Sequence, residues 1–213
     1  MRTKYIIFDL DDTLAYEIDY LKSAYKEIAS HLEPNFPEEL YVEMIQLYNQ
    51  GSNVFDILIN KYPHSTKEEL LTIYRNHFPD IKLNEGADNL FDAIISKSYK
   101  IGLITDGRSI TQRNKLKALE IEHIFDKIVI SEEFGSTKPD ERNYKAFIED
   151  DILEYYYIAD NPKKDFITPN QLGWTSICLL NNGFNIHDQL FDISEEYLPK
   201  IKVDLLSEII DII

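Results

Sequence analysis

Tyr5-Ile6-Ile7-Phe8-Asp9-Leu10-Asp11-Asp12-Thr13-Leu14 decides the fold. Four apolar residues in succession, without polar alternation, suit a strand covered on both faces, the setting of a parallel sheet. The run then breaks into carboxylates. In open parallel sheets ligands bind beyond the carboxyl ends of the strands, so Asp9 and Asp11 mark an edge where chemistry is expected.

Similar runs recur downstream. They are Ile101–Ile104, Lys127–Ile130, Tyr155–Ile158 and Thr175–Leu180, with an edge strand expected near Tyr197–Ile201. Helical patterns lie between and after them, at Ile110–Leu119, Asn143–Ile148, Asp165–Leu172 (interrupted by Pro169) and Leu205–Ile213. Strands alternating with helices imply crossover units and a parallel α/β sheet. The stretch from Ala15 to Asn84 has no strand pattern. Tyr16–Leu32, Pro37–Asn49, Val54–Tyr62 and Lys67–His77 read as amphipathic helices, punctuated by Pro34, Gly51, Pro63 and Pro79. Ser65-Thr66-Lys67-Glu68-Glu69 reads as a helix start with an acidic first turn. Leu90–Ser98 returns to the sheet as a covering helix.

The residues just past the runs are of one kind. Asp9 and Asp11 stand after the first, Thr105-Asp106-Gly107 after the second, and Asp160 to Asp165 after the fourth, while Lys138-Pro139 closes the loop after the third. A lone aspartate at such a place is an ordinary turn or cap residue, and Asp12 by itself reads that way. The set does not, because like charges crowded at one sheet edge repel unless a cation sits among them. Magnesium takes oxygen ligands and leaves room for water and phosphate. Lys138 supplies a second positive charge for a phosphoryl oxygen or for the nucleophile. If the chain stays extended past the strand, Asp9 and Asp11 share one side. A fixed Asp9 beside a cation can attack phosphorus, and Asp11 can act as acid and base. Gly107 permits a tight turn, and exposed backbone N–H groups at Asp106 and Gly107 can cradle phosphate oxygens, with the Thr105 hydroxyl adding another donor.

This constellation resembles the haloacid dehalogenase superfamily of phosphatases. Asp9-Leu10-Asp11-Asp12-Thr13, Thr105 with Asp106-Gly107, Lys138-Pro139, and Asp160 with Asp165 stand in the order of that superfamily's four motifs. The resemblance implies a Rossmann-like core in residues 1–15 and 85–213 and an inserted α-helical cap in residues 16–84. It implies Asp9 as nucleophile and Mg²⁺ ligand, and Asp11 as acid/base and ligand through its backbone carbonyl. Thr105 and Lys138 would hold the phosphoryl group. Asp160 would bind Mg²⁺, and Asp165 would bind it indirectly or orient Lys138. Two departures keep the charged residues: Asp12 stands where many relatives have Gly, and Ala159-Asp160 where Gly-Asp is commoner. The stretch Thr111–Leu116, with Ile130–Glu133 beyond it, resembles members acting on nucleoside monophosphates or sugar phosphates.

The expected activity is therefore Mg²⁺-dependent hydrolysis of a small phosphorylated metabolite through an aspartyl phosphate. A carboxylate at Asp11 argues against dehalogenation, where halide leaves without a proton. A phosphomutase of the β-phosphoglucomutase type and a non-catalytic phosphate-binding module are the alternatives. A net charge of −16 disfavours nucleic acid and anionic lipid as partners. The single cysteine, Cys178, lies in an apolar run and reads as a buried hydrophobe, and no stretch has the length of a membrane span. A cytoplasmic monomer or homodimer is the expectation. His31 and His77 read as packing or surface residues of the helical insert, Tyr155–Tyr157 as core aromatics, and Asn49–Asn53 as a helix–helix turn.

Overall fold

A computed structural model describes residues 3–213. Strand β1 (Lys4–Phe8) is the expected apolar run, and Tyr5 to Phe8 are fully buried. The chain then makes helices α1 (Glu17–Leu32), α2 (Pro37–Asn49), α3 (Val54–Lys61) and α4 (Lys67–Asn76) before α5 (Ala87–Ser96) returns to the sheet. Next come β2 (Lys100–Thr105), α6 (Ser109–Ala118), β3 (Lys127–Ile130), α7 (Ser131–Phe134), α8 (Glu141–Lys145), β4 (Glu154–Ala159), α9 (Ile167–Gln171), β5 (Thr175–Leu179) and β6 (Ile201–Val203).

The six strands lie in the order β3-β2-β1-β4-β5-β6, and every neighbouring pair is parallel. Central β1 is covered on both faces: Ile6 and Phe8 pack in one core, Tyr5 and Ile7 in the other. This explains why its sequence does not alternate. The tyrosine triplet of β4 serves packing as expected, with Tyr156 and Tyr157 on opposite faces and Tyr155 stacked on Trp174 at 4.9 Å. Because β1 runs to β2 on one side and pairs with β4 on the other, the strand order reverses between β1 and β4. A crevice opens there beyond their carboxyl ends.

Helices α1–α4 bury a core of their own around Leu21, Tyr25, Ile28, Leu40, Met44 and Leu70. Their starts reflect local chemistry. The Asn53 side chain caps α3, and Thr66 and Glu69 form a reciprocal capping box on α4. At the base of this helical unit the two crossings of the chain are joined. The Asn84 N–H donates to the Leu14 carbonyl at 2.8 Å, and its side-chain amide to that of Thr13 at 2.9 Å.

Several element boundaries differ from expectation, among them that of α8, which spans Glu141–Lys145 rather than Asn143–Ile148. Helix α5 begins at Ala87, just after Gly86 in the left-handed region, so the apolar periodicity read from Leu90 caught only its later part. The edge strand is Ile201–Val203, since Pro199 has no N–H to give a ladder. Residues Leu206–Asp211 form a 3₁₀ turn rather than an α-helix, and Leu206 and Ile209, three apart, bury on one side. Pro169 does not interrupt α9 because it stands in the first turn, where no intrahelical donor is missing. Among the described residues no helix is long and apolar enough to cross a membrane.

Candidate active site

Asp9 is the first residue beyond β1, and its N–H extends the ladder to the Ile158 carbonyl at 2.9 Å. Its side chain is almost fully buried: Oδ1 accepts from the Leu10 N–H at 2.8 Å, and Oδ2 meets Lys138 Nζ at 2.7 Å. Lys138 Nζ also meets Asp165 Oδ1 at 2.8 Å and donates to the Tyr157 hydroxyl at 3.3 Å. Asp9, Asp160 and Asp165 each bring a carboxylate oxygen within 4.8 Å of the others. The Asn185 amide donates to Asp160 Oδ2 at 3.0 Å. Strand ends thus deliver Asp9 and Asp160 to the crevice, and the loop after β3 brings Lys138 between Asp9 and Asp165.

Three buried carboxylates gather about one ammonium, which pairs with Asp9 and Asp165 but not with Asp160, and the imbalance shows in their proton affinities. Burial lifts Asp9 to about 6 against the pull of Lys138. Burial, then the charges of Asp165 and Asp9, hold Asp160 well above the usual carboxylate range. Burial alone would lower Lys138, but Asp165 and Asp9 raise it well above an ordinary lysine. The all-oxygen donor set and its excess negative charge fit a hard divalent cation. A carboxylate with a raised folded pKa binds its proton more tightly in the fold. The fold therefore loses stability as pH climbs from the unfolded value of 3.8 through about 6. A bound cation offsets this. Mg²⁺ is accordingly expected to raise the melting temperature more at about pH 7.5 than at about pH 5, where protons compete. Equal gains at both, measured by thermal unfolding, would contradict the assignment.

Asp11 reaches the same cleft by another route. The chain does not stay extended: Asp11 bridges to Ala15, the Asp12 N–H donates to the Ala15 carbonyl at 2.8 Å, and Asp12 has φ +56°. That backbone suits glycine and tolerates aspartate. The Asp12 carboxylate acts as a staple, accepting from the Glu17 N–H at 2.9 Å and the Ile186 N–H at 3.0 Å. The Asp11 side chain lies outside the carboxylate trio. Lys115 Nζ meets its Oδ1 at 2.5 Å, and Gln112 Nε2 donates to its Oδ2 at 2.9 Å. Gln112 Nε2 is also 2.6 Å from Thr105 Oγ1, which as acceptor keeps its own proton to donate elsewhere. Asp106 Oδ1 accepts from the Lys138 N–H at 3.1 Å, and Lys164 Nζ stands 3.8 Å from its Oδ2. The Gly107 N–H is engaged by Ser131 Oγ at 2.9 Å, and Gly107 does not line the cleft.

The cleft holds roughly 160 Å³ between the sheet edge and the start of α1. Its walls include Asp9, Asp11, Thr105, Asp106 and Asp160, and also Glu17, Lys164 and His187, which the sequence did not single out. Gln112 and Lys115 were missed as well, although a signal existed. The buried stripe of α6 is 112, 115, 116 and 119, at helical spacing, and its first two members are polar. The same helix turns Thr111 and Asn114 toward α4, whose terminal carbonyls at Arg75, Asn76 and His77 they bond at 3.0–3.1 Å. His31 pairs with Glu69 on the surface, and His77 packs 4.7 Å from the Tyr20 ring; neither lines the cleft. Asn49–Asn53 is a helix–helix turn, and Cys178 is buried.

Removing the Lys115 charge tests the α6 clamp. Lys115→Met leaves Asp11 with Gln112 alone. If Asp11 is the acid/base that the sequence resemblance implies, kcat is expected to fall roughly tenfold or more, a share of what such a group supplies, with KM within about twofold of wild type. Unchanged kcat would show that Asp11 needs no such support.

A family model described as haloacid dehalogenase-like hydrolase matches residues 6–178. The glyceraldehyde 3-phosphate phosphatase of Methanocaldococcus jannaschii is 27% identical, over 99% of this chain and 96% of that protein. The protein of the same name from Methanopyrus kandleri is 26% identical, over 99% and 97%. Among solved structures, the magnesium-bound HAD-hydrolase YfnB of Bacillus subtilis superposes with a TM-score of 0.67, covering 100% of this chain and 99% of its own. Its 17% identity makes this a likeness of fold.

Proposed function

Because the chain belongs to the haloacid dehalogenase-like hydrolase family, we propose that it is a Mg²⁺-dependent phosphatase of a small sugar phosphate, acting through a phosphorylated Asp9. The observation that carries this reading is Asp9 itself, held against Lys138 at 2.7 Å within a trio of buried carboxylates. A nucleophile must be fixed and its charge managed, and both conditions are met there.

In the first half-reaction an Asp9 oxygen attacks phosphorus. The bond from phosphorus to the ester oxygen breaks, and the leaving oxygen takes a proton from Asp11. In the second half, Asp11 takes a proton from water, which attacks the phosphorus of the acyl phosphate and returns Asp9 and inorganic phosphate. Lys138 and the Thr105 hydroxyl hold phosphoryl oxygens. Asp9, Asp160 and Asp165, with the Asp11 carbonyl, would hold Mg²⁺, which neutralises phosphoryl charge. Lys115 and Gln112 bond both Asp11 oxygens, so Asp11 rests in the carboxylate form that water activation needs. Protonating it for the first half-reaction weakens these contacts, because the neutral acid is a poorer acceptor than the carboxylate.

The helical unit, residues 16–84, is read as a cap whose two crossings, at 15–17 and 83–86, are tied by Asn84. A cap excludes water and selects the substrate. The cleft is below the several hundred Å³ typical of sites for larger ligands, which favours a three-carbon ester over a nucleoside monophosphate. The curated relatives' activity on glyceraldehyde 3-phosphate supports the same choice. Phosphate release from triose, pentose and hexose phosphates and nucleoside monophosphates, with Mg²⁺ and with EDTA, tests the reading. Triose phosphates are expected to lead and EDTA to abolish release. Release indifferent to EDTA, or none from any ester, would contradict it.

A further inference from the structure

One carboxylate of the cleft has no structural employment. Glu17 opens α1 and lines the cleft opposite the sheet edge, together with Asp9, Asp11 and Lys164. Its backbone N–H is used by Asp12, but its side chain makes no hydrogen bond or ion pair among the described residues. An acidic residue in the first turn of a helix is ordinarily explained by the helix dipole. That explanation serves Asp19, which lies in the same turn and pairs with Lys22. It serves Glu17 poorly. Burial, and then Asp11 and Asp12, push the Glu17 carboxyl up to about 7 against the opposing charges of Lys115 and Lys164. Placing a carboxylate there works against stability, and an unpaired, desolvated acid in a cleft is a mark of function.

The distribution of charge around the cleft says what that function is. The cations stand on the sheet side: Lys138 beneath Asp9 and Lys164 beside Asp106. These are the places for the phosphoryl group. His187, exposed at the rim, acts on Asp12. The lysines near Glu17 are already engaged, Lys115 by Asp11 at 2.5 Å and Lys164 at 3.8 Å from Asp106, so Glu17 is the charged group of the lining left without a partner on its own side. We propose that Glu17 selects phosphate esters of uncharged hydroxy compounds, accepting a hydrogen bond from the leaving group, and rejects esters that carry a second anion such as a carboxylate. The inference rests on the phosphatase reading above and narrows its substrate class. A hydroxyl or aldehyde hydrate donates to Glu17, whereas a carboxylate in the same place meets a like charge in a partly desolvated space. The expected discrimination is on the order of 10- to 100-fold.

The test compares kcat/KM at about pH 8.5, where Glu17 is ionised, with Mg²⁺ present, for glyceraldehyde 3-phosphate and glycerol 3-phosphate against 3-phosphoglycerate and phosphoglycolate. Wild type is expected to favour the first pair by about tenfold or more. The nearly isosteric Glu17→Gln should shrink that ratio by about tenfold, chiefly by admitting the carboxylates, and Glu17→Lys should reverse it. A ratio that stays within about twofold of wild type in both variants, even if all rates fall together, overturns the role of Glu17 and leaves the phosphatase reading standing. A wild type that prefers the carboxylates does the same. Release from none of the four, nor from any other ester of the wider series, overturns the phosphatase reading and this inference with it.

Discussion

Asp9→Asn is expected to abolish phosphate release, by roughly 10³-fold or more in kcat, while the fold stands. The substitution keeps the size and shape of the side chain and replaces the proposed nucleophilic oxygen by an amide. Lys138 loses one anionic neighbour but keeps Asp165 at 2.8 Å and the Tyr157 hydroxyl at 3.3 Å, so no unpaired ammonium is left buried. The repulsion that holds Asp160 well above the usual carboxylate range also weakens, because Asp9 is among its causes. The melting temperature of the cation-free variant should therefore equal or exceed that of wild type. Retention of a tenth of wild-type kcat would remove Asp9 from the role of nucleophile.

Lys138→Met is expected to fail in both respects. Its ammonium, with the side chain fully buried, is the cation shared by Asp9 and Asp165. Removing one partner of a buried ion pair costs about 3–5 kcal/mol, because the charges left behind are neither solvated nor paired. For a chain of 213 residues this corresponds to a drop in melting temperature of about 6–20 °C. The deficit should grow as pH rises, since the stranded carboxylates can relieve it only by keeping protons. Mg²⁺ should restore part of the stability but little of the activity, since in the proposed mechanism Lys138 also holds the phosphoryl group. Unfolding monitored at two pH values, with and without Mg²⁺, checks each clause. A melting temperature unchanged from wild type would show that the pair contributes nothing to the fold.

The sheet and its reactive edge were legible because two simple signals coincide there. Strands buried on both faces are apolar throughout, and the first polar residue after each strand stands at the carboxyl edge. Reading one residue past Phe8 and Ile104, and two past Ile158, led to Asp9, Thr105 and Asp160. Those strands prove to be neighbours in the order β2-β1-β4. The environment of Asp11 was not legible in the same way. Its orientation depends on the left-handed turn at Asp12, which a run of carboxylates does not announce. Its partners lie on α6, inside the stretch Thr111–Leu116 that the sequence marked only by its likeness to other members, and the buried stripe through Gln112 and Lys115 is what gives them a role at Asp11. Glu17 was hidden for the opposite reason, since an acid at a helix start has a sufficient local explanation. The shifted β6 and the 3₁₀ tail show a third kind of gap. Short apolar runs such as Leu205–Ile213 carry no periodicity long enough to choose between helix types, and packing against α5 decides.

The most direct test of the central claim is to trap the covalent intermediate. Enzyme mixed with an excess of glyceraldehyde 3-phosphate and Mg²⁺, quenched in acid within milliseconds and digested, is read by mass spectrometry. A phosphoryl-sized mass increase is expected on the peptide that contains Asp9, absent with EDTA and absent in Asp9→Asn. Turnover without any such adduct, or an adduct on another residue that persists in Asp9→Asn, would contradict it.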